Sequence, residues 1–87
     1  MENITFRRGR YRITLLEKHI EVRTKRFNVM TRSMDTLMPY SQISNVEVTK
    51  RLFNPSRLVI RSVAGKAVRL TLGGKAILAR DAIISRM

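Results

Sequence analysis

Apolar and polar residues alternate with a period of two through most of residues 10 to 72, and the alternation stops at Gly73-Gly74. Successive side chains of a strand point to opposite faces, so this pattern demands β-strands with one buried and one wet face. Tyr11, Ile13 and Leu15 alternate with Arg10, Arg12 and Thr14; past the polar Glu17-Lys18 turn, Ile20 and Val22 alternate with Glu21 and Arg23. The two runs read as a hairpin. Phe27 to Met30 is a shorter candidate strand, Thr31 to Asp35 reads as a turn, and Thr36 to Met38 as a short strand ended by Pro39. Proline has no N–H to donate, so Pro39 suits a corner. Ile43, Val46 and Val48 lead into a strand over Ser44 to Lys50, with Asn45 a candidate bulge, and Phe53-Asn54-Pro55-Ser56 is a turn signal. Leu58 and Ile60 then alternate with Arg57, Val59 and Arg61; Ala64-Gly65-Lys66 reverses the chain; Val68, Leu70 and Leu72 alternate with Arg69 and Thr71.

After Gly73-Gly74 the spacing becomes helical. Ala76, Ala79, Ile83 and Met87 recur every three or four residues, joined by Ala82, while Arg80, Asp81 and Ser85 fall on other faces. This predicts one amphipathic helix over about residues 75 to 86, roughly 18 Å long at 1.5 Å per residue. Strands over about residues 6 to 72 followed by one helix make a mainly β (α+β) chain. The expected architecture is a meander curling into a partly open barrel, with the helix closing one end. At 87 residues there is room for a single domain. A core this small only narrowly offsets conformational entropy, and pairing of open strand edges in a homo-oligomer is an expected remedy.

Composition narrows the chemistry. There is no cysteine, one histidine and only six acidic residues, against 18 Lys and Arg, for a net charge of +12. Disulfides, thiolate metal sites and a cysteine nucleophile are excluded, and little remains for acid–base catalysis. No cofactor is expected, and the chain reads as noncatalytic, with an anionic partner. The longest apolar runs are three or four residues, such as Ala76 to Ala79, where a bilayer crossing needs about 20. Met1-Glu2-Asn3-Ile4 carries no apolar signal core. The expected location is cytoplasmic or membrane-peripheral.

In order along the chain stand Tyr11-Arg12-Ile13-Thr14, Ile20-Glu21-Val22-Arg23, the segment Met38-Pro39-Tyr40-Ser41-Gln42-Ile43-Ser44-Asn45-Val46-Glu47-Val48, then Leu58-Val59-Ile60, Gly65-Lys66 and the Ala-rich end. This succession resembles the bacterial pleckstrin-homology-like (PH-like) domain family, over about residues 6 to 87. The Pro39 to Val48 segment is its most specific part. The resemblance implies a bent antiparallel barrel of about seven short strands capped by a C-terminal helix. It implies binding of lipid headgroups, peptides or other domains, since the fold is a scaffold for unrelated sites.

Three basic clusters are candidate anion-binding groups. The first is Arg7, Arg8, Arg10 and Arg12, with Gly9 among them permitting a tight turn; guanidiniums grip phosphate bidentately. A solvated strand face accounts for the same run equally well. The second is Arg23, Lys25 and Arg26. A hairpin about Glu17-Lys18 places Arg12 beside Arg23 and Arg10 beside Lys25, and like charges face to face call for a ligand or for acidic neighbours such as Glu21. The third is Lys50, Arg51 and Arg57 around Phe53, which either inserts into a lipid interface, stacks on a base or covers the barrel end. Arg61 and Arg69 share a face. His19 lacks metal co-ligands, Ser33 and Ser41 lack a histidine base, and Gly73-Gly74-Lys75 lacks the rest of a phosphate-loop pattern. Expected partners are an anionic lipid surface or an acidic protein. Nucleic acid held through its phosphates is the alternative, and a protein-assembly role the second alternative.

Overall fold

The computed structural model describes residues 3–24 and 34–87. The described residues are mostly β: seven strands in two antiparallel sheets, followed by one C-terminal helix. The first sheet runs in chain order through β1 (Ile4–Arg8), β2 (Tyr11–Leu15), β3 (His19–Thr24) and β4 (Met34–Pro39). The second holds β5 (Ile43–Thr49), β6 (Arg57–Ser62) and β7 (Ala67–Thr71). A single 3-10 turn, Tyr40–Gln42, joins the sheets. Among the described residues no ladder links one sheet to the other and neither sheet is closed, so the strands form two meandering antiparallel sheets where a partly open barrel was expected.

Each sheet buries one face, as alternation requires. Ile13 and Leu15 of β2 lie opposite Val22 and Ile20 of β3, and all four are buried. Val46, Leu58, Ile60 and Leu70 supply the facing layer. Tyr40 carries the corner: its ring joins this core while its hydroxyl donates to the Leu16 carbonyl at 2.7 Å, so a buried phenol keeps a polar partner. A register shift does occur at the start of β5, but at Ser44 rather than Asn45: Ile43 pairs with Ser62 and Asn45 with Arg61, leaving Ser44 as the extra residue.

The helix α1 (Lys75–Arg86) spans the predicted residues. Ala, Leu, Lys and Arg favour helix, and no glycine or proline interrupts the segment. Ala76, Ala79 and Ile83 are fully buried against both sheets, with Ala82 packed at the margin. Each end is also tied to the first strands. Lys75 Nζ donates to the Arg7 carbonyl at 2.7 Å, and Arg86 donates to the carbonyls of Leu15 and Leu16 at 3.1 and 3.0 Å.

Five expectations need correction. Ile4–Arg8 is a strand preceding the expected first hairpin. As an edge strand it places only Phe6 against the core, which leaves little periodic signal. Met34 and Asp35 belong to β4, not to a turn. Val59 is only 4% exposed. It stands on the central strand between Glu47 and Arg69, whose long stems can shield an outward valine. Met87 lies at the helix end, 53% exposed, and does not extend the apolar stripe. Phe53 covers no end of the fold, being 90% exposed. The candidate strand at Phe27 to Met30 lies outside the described residues.

Candidate anion-binding site

The predicted basic residues fall into two groups. The first is a row across the outer face of the four-stranded sheet. Register sets Arg7 opposite Arg12, Arg12 opposite Arg23, and Arg23 opposite Asp35. Neighbouring strands lie about 4.8 Å apart, so three guanidinium stems stand side by side. The hairpin about Glu17-Lys18 thus brings Arg12 and Arg23 together as its spacing predicts. Glu21 lies 4.0 Å from Arg12, both half-exposed, a pair worth at most about 1 kcal/mol. The neighbouring row carries Thr5 and Thr14, whose hydroxyls are 3.2 Å apart. Lys25 and Arg26 lie outside the described residues.

The second group surrounds Tyr11 at the end of the fold where three connections meet. Gly9 and Arg10 form the two-residue turn between β1 and β2, and Gly9 has φ +58°, as such tight hairpins require. The turn sets the Arg10 guanidinium 5.3 Å from the Tyr11 ring centre, with one N–H donating to the phenol oxygen at 3.2 Å. Thr71, last residue of β7, and the charge of Arg57 also act on the phenol. Arg57 and Thr71 are themselves paired across β6 and β7. Arg51 reaches Thr71 through a long contact of 3.5 Å. The Tyr11 phenol therefore ionises below the ordinary value of 10.0; the Arg10 hydrogen bond is the main cause, partial burial opposes it, and Thr71 and the two arginine charges add to it.

Arg8 borders the same end. Its Nε lies 3.1 Å from where a Cβ on Gly73 would sit, and Gly73 has φ +60°, so this junction into the helix needs glycine on both counts. Arg7, by contrast, belongs to the outer row, so the run from Arg7 to Arg12 is divided between the two groups. Among the described residues no ion pair joins Arg8, Arg51 or Arg57 to a carboxylate. The sequence explains why. Between Glu47 and Asp81 stand Lys50, Arg51, Arg57, Arg61, Lys66, Arg69, Lys75 and Arg80, and no Asp or Glu.

Arg61 and Arg69 do share the outer face of the second sheet, and Arg61 pairs with Glu47 at 3.0 Å. Lys50 is exposed beside Arg51. No group of three or more His, Cys, Asp or Glu residues able to hold a metal ion occurs among the described residues. No helix among them is long and apolar enough to cross a membrane. Tyr11, Thr71 and Gly73 are the site residues that sequence reasoning passed over. Only Tyr11 carried a local signal, as the one aromatic inside a basic run.

Comparison of the chain with protein-family models, with curated proteins and with solved structures finds no match.

Proposed function

We propose that this chain is a noncatalytic PH-like binding module, its two sheets forming the bent, helix-capped barrel of that fold, and that it docks on an anionic phospholipid surface. The four-plus-three division of strands and the helix after the last of them support the fold reading. One observation carries the functional reading. Arg8, Arg10, Arg51 and Arg57, from three separate segments, converge around Tyr11 and Gly73, where no carboxylate pairs with Arg8, Arg51 or Arg57 among the described residues. Gathering like charges costs energy unless an anion answers them, and planar guanidiniums suit phosphate. Each basic residue near an anionic leaflet contributes about 1 kcal/mol.

A second reading, contact with nucleic acid through its phosphates, is favoured by the Arg7–Arg12–Arg23 row, which presents evenly spaced cations on an open sheet face. Cosedimentation with phosphatidylserine-containing vesicles, with duplex DNA as competitor, separates the two. A lipid module keeps its vesicles in excess DNA, and the Arg10→Glu/Arg57→Glu double variant loses them. A nucleic-acid module gives up vesicles to DNA and shows a salt slope of roughly 0.9 per phosphate contacted. Binding to neither overturns both readings in favour of a protein-assembly role.

A further inference from the structure

Between β5 and β6 stand the most exposed large apolar residues among the described ones, Leu52 at 87% and Phe53 at 90% exposure. They are adjacent, at the tip of a loop that is closed beneath them. Arg51 donates to the Pro55 carbonyl from Nε at 3.2 Å and from a terminal nitrogen at 2.9 Å, bridging the loop's base. Such a clamp holds the tip away from the body. Around it stand Lys50 and Arg57, and the cation cluster about Tyr11 meets the same loop through the Arg51–Thr71 contact.

We infer that the 50–57 loop is an interfacial wedge: Leu52 and Phe53 enter the headgroup–acyl boundary of an anionic bilayer while Lys50, Arg51 and Arg57 remain at phosphate level. This rests on the lipid reading above and adds to it an insertion depth and the residues responsible. Apolar tip and cationic collar match the two layers that an anionic leaflet presents in sequence, hydrocarbon below and phosphate above. A stable protein contact requires about 800 Å² from each partner, far beyond what two side chains at a loop tip bury. A second copy of this chain is disfavoured further by its own +12 charge, which repels it.

The sequence contains no tryptophan, so Phe53→Trp creates a single reporter at the tip. With phosphatidylcholine–phosphatidylserine vesicles the wedge predicts a blue-shifted emission, quenched by lipids brominated on the acyl chain, and no shift with phosphatidylcholine alone. The double variant Leu52→Ser/Phe53→Ser leaves circular dichroism unchanged, since both residues are exposed, and weakens vesicle binding by about tenfold or more. If vesicles bind but the tryptophan neither shifts nor is quenched, the wedge is wrong and surface docking through the arginines stands. If the parent chain binds no vesicle, both fall. A blue shift that grows with protein concentration in the absence of lipid marks self-association through the tip and overturns the wedge.

Discussion

The outer row of the first sheet and the cluster around Tyr11 divide one basic run, Arg7 to Arg12, between them, yet their surroundings differ. Arg7, Arg12 and Arg23 stand on a strand face where Glu21 approaches Arg12 and register brings Asp35 opposite Arg23. Arg8, Arg10, Arg51 and Arg57 gather where turns and chain junctions meet, with hydroxyls and carbonyls for company and no carboxylate paired with Arg8, Arg51 or Arg57 among the described residues. Charge density along the sequence is therefore a poor guide to electrostatic potential. What decides it is where the six acids of the chain fall in the fold.

Both regions stand on one framework, and removing it has the largest expected effect. Ile83→Asp places a charge where the side chain is fully buried against both sheets. The expected loss is about 3–5 kcal/mol, much of the stability of a small domain. Thermal unfolding followed by circular dichroism should show little or no folded population; an unchanged midpoint would refute the helix packing described above.

The comparison itself is tested by charge reversal. Arg10→Glu/Arg57→Glu changes the charge at the Tyr11 end by four, and at about 1 kcal/mol per charge near an anionic leaflet it should weaken vesicle binding by a hundredfold or more. Arg12→Glu/Arg23→Glu makes the same change on the outer face and should weaken it several-fold less. Equal losses in the two variants would mean that net charge, rather than the Tyr11 end, governs docking.

Gly73→Ala is a milder probe. A side chain at φ +60° costs about 1–2 kcal/mol, and its Cβ would press on the Arg8 guanidinium. Denaturant unfolding should show that loss, with vesicle binding reduced by a few-fold as Arg8 moves. Preserved stability would place the strain elsewhere.

The smallest effect is the most local. In Arg10→Gln the Tyr11 phenol loses the main cause of its lowered pKa, so its titration, read by ultraviolet absorbance in a Tyr40→Phe background, should move up. A lowered folded pKa contributes stability that is full above the unfolded value near 10.0 and is lost as pH falls through the folded value. The parent chain's advantage over the variant should accordingly grow as pH rises through that window. A titration that stays put would remove Arg10 from the phenol's environment in solution.

Much of the architecture was legible because most of its strands and its helix each obey a local period. The helix was readable from Ala76, Ala79 and Ile83 alone, and the Arg12–Arg23 pairing from the distance of each to the Glu17-Lys18 turn. β1 was not, because an edge strand that turns only Phe6 inward has almost no period to read. Val59 misled for the opposite reason: on a central strand even the outward face is covered. The site was legible in residue type and illegible in grouping. Nothing local tells that Arg57 acts on Tyr11 or that Arg8 lies against Gly73, since both contacts arise only when β1 and β2 meet the second sheet and the helix junction.

Lys75 and Arg86 fasten the two ends of α1 to backbone carbonyls of β1 and of the end of β2. During synthesis the strands holding those carbonyls are made before the helix that carries the fasteners, which follows the seven described strands. At about 5–20 residues per second, the apolar faces of both sheets wait seconds for their cover. Vectorial synthesis thus cannot finish this fold piecemeal. The contacts that join the helix to the opening strands can form only once the helix has been made.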